Sequence, residues 1–201
     1  SMSESVMRIA LSRGVGERGY GVTGEEQPTL LITQHSPPSN PAKPLSLVST
    51  SARVAVGDPL AKVKSANKLG SILAKRDAAA QGADDGLILN SDGNVTETSS
   101  ANLFWVEGGT PHTPPLSDGV LPGVTRRLVV GLASALGQAV REESVASDRL
   151  QQADAVFATS AATGIIAVGQ VNGGALGKHP LVCQLQDAYD AELARHAAAG
   201  E

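Results

Sequence analysis

The sequence predicts an α+β fold, and three observations predict it. Strand-like runs crowd the middle of the chain, helical periodicity is confined to separate stretches, and the two lack the regular alternation of a doubly wound sheet. The 201 residues, 41% apolar, suffice for one good-sized core, or for one core with part of a second domain. Only five residues are aromatic (Tyr20, Phe104, Trp105, Phe157 and Tyr189), so an aliphatic interior built from many small contacts is expected.

Taken in order, Val6 to Ser12 and Pro28 to Thr33 read as two strands of a hairpin joined by the glycine-rich stretch Gly14 to Gly24. His35 to Pro44 holds four prolines and no apolar periodicity, which predicts a linker. The predicted organisation is a first domain over residues 1–35, a linker over 36–44 and a main domain over 45–201. After the linker, LSLVSTSARVAV predicts a strand or two. Ala66 to Gln81 predicts a helix with Leu69, Ile72 and Leu73 on one face, ended by Gly82 as its C′ residue. Strand-like GLILN, an SDGN turn, the short VTET segment and strand-like NLFWVE follow, closed by an EGGT turn. Gly123 to Leu136 reads as a helix, with Leu128, Val129, Leu132 and Leu136 at helical spacing and Gly137 just past its end. Ser147 is placed to cap a short helix, AVFATS and GIIAV read as strands, and Pro180 to Ala198 as a last helix with Leu181, Leu185, Tyr189 and Leu193 four apart.

Charge narrows the possible partners. A net charge of -4 and no basic stretch argue against a nucleic acid or an acidic membrane surface and favour a small-molecule ligand. The single cysteine, Cys183, forms no intramolecular disulfide, and no run is long and apolar enough for a signal segment or a membrane span. A cytoplasmic location is expected, no metal-ligand set is read, and Ser1-Met2 reads as a cloning remnant.

Four stretches carry chemistry. Lys64, in Val63-Lys64-Ser65-Ala66-Asn67 between strand-like and helical segments, can be partly desolvated and so made nucleophilic towards an aldehyde. A lone lysine is more often a solvated surface group. Glu97, in Thr96-Glu97-Thr98-Ser99-Ser100-Ala101-Asn102, can pair with a protonated pyridine nitrogen, although a single glutamate is usually a solvated strand residue. Leu121-Pro122-Gly123-Val124-Thr125-Arg126 leads into a helix, where the amides of Val124 and Thr125 and the Thr125 hydroxyl can bind phosphate. A Pro-Gly turn is also ordinary punctuation. Thr159-Ser160-Ala161-Ala162-Thr163 can complete such a phosphate site, or can simply end a strand.

Lys64 in K-S-x-N, Glu97 in V-T-E-x-S-S-x-N-L-F, T-P-P-L followed by L-P-G-V-T-R, and the small-residue loop after Phe157 together resemble the ordered signature of fold-type IV pyridoxal-phosphate enzymes. The resemblance spans nearly the whole chain. It implies the large domain of the D-amino-acid-aminotransferase-like fold with a remnant of the small α/β domain, pyridoxal 5'-phosphate as cofactor, and a homodimer. It further implies Lys64 as the cofactor-bearing lysine, Glu97 as the ring-nitrogen partner, and Ser100, Asn102, Val124, Thr125, Ser160 and Ala161 around the cofactor.

Within that group the chain most resembles the aminodeoxychorismate lyases. Lys64-Ser65-Ala66-Asn67-Lys68-Leu69 is similar to their K-x-x-N-[RK]-L, where branched-chain aminotransferases usually carry tyrosine at the place of Lys68. Ser12 to Tyr20 is similar to their S-R-G-x-G-x-R-G-Y, and D-amino-acid aminotransferases have histidine where Tyr20 stands. The resemblance implies conversion of 4-amino-4-deoxychorismate to 4-aminobenzoate and pyruvate, a step towards folate. Arg18, with Tyr20 beside it, would meet the substrate, because a guanidinium offers two parallel donors to a carboxylate. The alternatives are a branched-chain or D-amino-acid aminotransferase and a non-catalytic remnant of the fold. Relatives begin with a segment that supplies an arginine to the cofactor phosphate, and nothing before Arg8 matches it, so most of a small domain is expected to be missing here.

Overall fold

The computed structural model describes residues 5–39 and 41–199, so that Ser1-Met2 lies outside the described residues. The chain divides into two compact units, Ser1–Asn40 and Pro41–Glu201. In the first, β1 (Val6–Ser12) and β2 (Thr29–His35) form an antiparallel hairpin in which Ile9 faces Ile32 and Leu11 faces Leu30. Side chains alternate across a strand, so Met7, Ile9, Leu11, Leu30 and Ile32 share one face. In the connecting loop the Glu26 carboxylate accepts the amides of Thr23 and Gly24, each at 2.9 Å, and these bonds hold its pKa down. Gly14 adopts φ 96°, and a Cβ there would stand 1.9 Å from the Gln27 carbonyl oxygen, so only glycine fits.

The second unit contains β3 (Leu45–Val54), α1 (Leu69–Ala80), β4 (Asp85–Asn90), β5 (Val95–Thr98), β6 (Asn102–Glu107), β7 (Thr110–Thr113) and α2 (Val124–Ala135). Then come β8 (Arg141–Glu142), α3 (Ser147–Leu150), β9 (Ala155–Ser160), β10 (Gly164–Val171), β11 (Gly174–Ala175) and α4 (Pro180–Ala199). LSLVSTSARV makes one strand with a register shift between Ser49 and Arg53. Strands β10, β3, β4, β5, β6 and β9 pair in sequence, and β9 returns to β10, which closes them into a barrel without free edges. β7 and β8 continue from β6, and β11 from β10.

Alternation along β6 and β9 separates two cores. Leu103, Trp105 and Val156 join Leu47, Leu87, Leu89 and Val95 in one cluster. Phe104, Val106, Ala155 and Phe157 point the other way, towards Val129 and Ala133 of α2 and Leu181, Leu185 and Tyr189 of α4. The interior is mainly aliphatic, as expected, with Phe104, Trp105 and Phe157 fully buried within it and the two phenylalanines stacked with centroids 5.0 Å apart.

Two helix readings also change. The face of α1 that reads as apolar, Leu69, Ile72 and Leu73, is its outer side, and Ala74 and Ala78 are buried. The reason is steric: a Cβ on Gly86 would lie 2.6 Å from the Ala74 carbonyl oxygen, so this helix rides on β4 too closely for large side chains. Ala66 to Lys68 precede α1 as non-helical residues. Ser147 is the first residue of α3, not its cap; Ala146 holds the N-cap position. Among the described residues no helix is long and apolar enough to cross a membrane.

Candidate active site

Three strands set the floor of a cavity of about 480 Å³. Glu97 on β5 faces Asn102 on β6, and Asn102 faces Thr159 on β9, so the register lines these side chains up across the barrel wall. Glu97 Oε2 accepts the Leu121 amide at 3.2 Å and Asn102 Nδ2 at 3.3 Å, while Asn102 Nδ2 also donates to the Leu121 carbonyl at 2.9 Å. Asn102 thus ties the carboxylate to the L-P-G segment. A Cβ on Gly123 would lie 2.1 Å from Asn102 Oδ1, so glycine at this position is a requirement of space and not of backbone angle, its φ being -64°.

Burial pushes the Glu97 carboxyl above the usual carboxylate range, and the Leu121 hydrogen bond with the charges of Lys68 and Lys64 only partly opposes it. An ionised Glu97 therefore gains from a further cation placed against it.

Helix α2 begins at Val124 with Gly123 as N-cap and no side-chain cap, and its first-turn amides have no acceptor within the helix. Val124 and Thr125 line the cavity, so these amides and the positive end of the helix dipole make an anion seat. Arg126, buried, sets that helix end by donating to the Pro114 carbonyl at 3.1 Å and pairing with Glu142 at 3.0 Å. Thr159 Oγ1, buried on the same cavity wall, has no hydrogen-bond partner among the described residues.

Lys64 lines the cavity just after a one-turn helix, Pro59–Lys62, and is exposed, not partly desolvated as its sequence context predicts. Ser100 lines the cavity with its hydroxyl donated to Asp85 Oδ2 at 3.3 Å, and Ser99 donates to Oδ1 of the same buried aspartate at 2.5 Å. The Ser160 hydroxyl bonds that of Thr163 at 2.7 Å, which shapes the turn after β9, and Ala161 follows on the cavity wall. Lys64, Glu97, Ser100, Asn102, Val124, Thr125, Ser160 and Ala161 are thereby brought together. Arg18 and Tyr20 stand in the first unit, in the loop between β1 and β2, and both are exposed.

Sequence reading misses Lys62 and Ser71 as lining residues, does not single out Leu121 or Thr159 within the candidate stretches that contain them, and misses Asp85 and Arg126 as the groups that hold the walls. Thr159 has a signal, its place at the head of T-S-A-A-T. Leu121 acts through its backbone and has none.

Residues 2–171 match the family Amino-transferase class IV. The chain belongs to that family. Class IV aminotransferases and their lyase relatives work with pyridoxal 5'-phosphate. The chain is similar to the branched-chain-amino-acid aminotransferase of Escherichia coli, with 34% identity over 134 residues, 65% of this chain and 43% of that protein. It is also similar to the aminodeoxychorismate lyase of Bacillus subtilis, with 30% identity over 162 residues, 80% of this chain and 55% of that protein. Among solved structures, the 4-amino-4-deoxychorismate lyase of Pseudomonas aeruginosa superposes with a TM-score of 0.86 at 27% identity, covering 93% of this chain and 71% of that one. The branched-chain aminotransferase of Thermoproteus uzoniensis, solved with norvaline, gives 0.86 at 28% identity, covering 92% and 63%. The chain spans 61% or less of the length of these curated relatives.

The residues of this class IV site fit the cofactor. The uncapped amides of α2 and the unpartnered Thr159 hydroxyl suit a phosphate, and the carboxyl of Glu97, raised by burial, suits a protonated ring nitrogen.

Proposed function

We propose that this class IV protein is the cofactor-bearing part of a lyase that converts 4-amino-4-deoxychorismate to 4-aminobenzoate and pyruvate. The observation that carries the reading is Lys68, a cation on the cavity wall whose charge acts on Glu97, within the lyase-like K-S-A-N-K-L run. Branched-chain aminotransferases usually carry tyrosine there. The arginine-bearing loop from Ser12 to Tyr20 supports the same reading.

Lys64 would hold the cofactor, Glu97 would pair with its ring nitrogen, with Asn102 orienting Glu97, and the amides of Val124 and Thr125 would take its phosphate, with Ser160 and Ala161 also lining the site. When bound, pyridoxal phosphate supplies an aldehyde for the substrate amine and a ring that accepts an electron pair. The Lys64 amine would take the proton from the amine-bearing carbon as general base. The bond from the substrate ring to the enolpyruvyl oxygen then breaks, and the six-membered ring becomes aromatic. Lys64 returns its proton to the enol carbon, giving pyruvate. Arg18 and Tyr20 are the proposed substrate-binding residues of the first unit, and the Arg18 guanidinium offers a carboxylate two parallel donors. The working form is a homodimer.

The branched-chain aminotransferase relatives favour a second reading, amino-group transfer. A lyase regenerates its starting form at each turnover, whereas an aminotransferase must unload an amino group onto a keto acid. Offered 4-amino-4-deoxychorismate without keto acid, the protein is expected to release 4-aminobenzoate and pyruvate continuously. A stall after one turnover, with transfer from branched-chain or D-amino acids to 2-oxoglutarate, establishes the aminotransferase instead.

A further inference from the structure

Three lysines, Lys62, Lys64 and Lys68, line the cavity with a single acidic residue, Glu97. The charges of Lys64 and Lys68 act on Glu97, and Lys62 is not among the groups that do. The Lys62 ammonium makes no hydrogen bond or ion pair among the described residues. It is an exposed lysine on the cavity wall with no protein partner and no role in the proposed cofactor contacts.

Its position relative to Lys64 is set by the backbone. Asp58 Oδ1 accepts the Leu60 amide at 2.8 Å, and the Val63 amide donates to the Leu60 carbonyl at 3.0 Å, closing the one-turn helix. Val63 is then extended, and the Ser65 amide returns to the Val63 carbonyl at 2.7 Å. Lys62 and Lys64 therefore stand at the two ends of an extended two-residue step, their Cα atoms roughly 7 Å apart. From such neighbouring stems two lysine side chains can reach the amine and the carboxylate at opposite ends of one six-membered ring. An amino acid offers no such match, since its carboxylate sits on the amine-bearing carbon itself.

We propose that Lys62 binds a substrate carboxylate remote from the amine on which Lys64 acts, and so selects ring amines with a distal carboxylate. The proposal rests on the assignment of Lys64 as the cofactor lysine. A carboxylate paired with this cation gains a charge-assisted hydrogen bond that a neutral amide of the same shape does not.

The test compares binding of 4-aminobenzoate and 4-aminobenzamide to the cofactor-loaded protein by calorimetry, for the parent chain and for Lys62→Gln and Lys62→Arg. Lys62→Gln is expected to weaken 4-aminobenzoate by about tenfold or more and to shift 4-aminobenzamide by less than about twofold. Lys62→Arg is expected to keep most of the preference for the acid. The absorbance-titrated Kd for pyridoxal phosphate should be the same in all three. A preference that survives Lys62→Gln overturns the proposal, as does a weakened pyridoxal-phosphate Kd, which would assign Lys62 to the cofactor phosphate. Failure of the lyase reading shows separately, as absence of 4-aminobenzoate from 4-amino-4-deoxychorismate in a chain whose preference for the acid still depends on Lys62.

Discussion

Glu97→Gln separates cofactor binding from folding. In the parent protein, burial raises the Glu97 pKa, so the folded state favours the protonated carboxyl. The sign follows from linkage: this contribution to stability is full below the unfolded pKa and is lost as pH rises through the folded one. At neutral pH the ionised group costs stability until a cation meets it. Glutamine keeps acceptors for the Leu121 amide and the Asn102 amide and carries no charge to desolvate, so the cofactor-free variant should match or exceed the parent, within about 1 kcal/mol. Cofactor binding should suffer instead. Losing a charge-assisted hydrogen bond costs roughly 1.5 to 3 kcal/mol, which weakens the Kd by roughly 10- to 150-fold. At a cofactor concentration 100 times the parent Kd, binding stabilises the parent by about 2.7 kcal/mol; a Kd ten to one hundred times weaker leaves about 1.4 to 0.4 kcal/mol. Thermal unfolding with and without pyridoxal phosphate, across a pH series, measures each quantity. An unchanged cofactor-induced shift, or a cofactor-free Tm well below the parent's, would refute the pairing of Glu97 with the ring.

The remaining expectations concern the other walls of the site. Borohydride reduction of the cofactor-loaded protein followed by peptide mapping should place the label on Lys64; label on Lys62 or Lys68 overturns the assignment. Gly123→Ala puts a Cβ against Asn102 Oδ1 and should weaken cofactor binding with little change in secondary structure, which absorbance titration and circular dichroism read together. Arg126→Gln leaves the Pro114 carbonyl without its charged donor and should lower stability by about 1 to 3 kcal/mol in denaturant titration, whereas an unchanged midpoint would show that α2 is held by packing alone. Light scattering of the cofactor-loaded protein should give the mass of two chains; a monomer at every concentration counts against the homodimer.

Strands were legible because their signal is local. GLILN, NLFWVE and AVFATS are apolar runs bounded by turns, and β4, β6 and β9 occupy them. Closure of the barrel was not legible, because it depends on pairing between strands far apart in sequence, as in the return of β9 to β10 and β6. The burial of α1 failed for a related reason. Periodicity picks Leu69, Ile72 and Leu73 as the inner face, yet the approach of Gly86 to Ala74 decides which side can touch the sheet, and that contact joins two elements. Short strands such as β8 and β11, two residues each, carry no periodicity at all.

The site divides along the same line. Lys64, Glu97 and the helix end were legible because each lies in a motif that names its chemistry: Lys64 in K-S-A-N-K-L, Glu97 in T-E-T-S-S, and Val124 and Thr125 at a helix start; Lys62, outside any such motif, was not. What the motifs leave out is the scaffold that aims them. Asp85 anchors the hydroxyls of Ser99 and Ser100 on the cavity wall, Asn102 couples Glu97 to Leu121, and Arg126 bolts the helix end to the Pro114 carbonyl. Each is a buried polar residue whose partners lie 12 to 19 residues away at Pro114 and Leu121, or across the β4–β5 hairpin. Such residues read in sequence as ordinary strand or helix polar groups. They are satisfied only in the fold, so their absence from a motif reading follows from physics: a buried polar group is costly alone and neutral once paired, and only the pairing shows which it is.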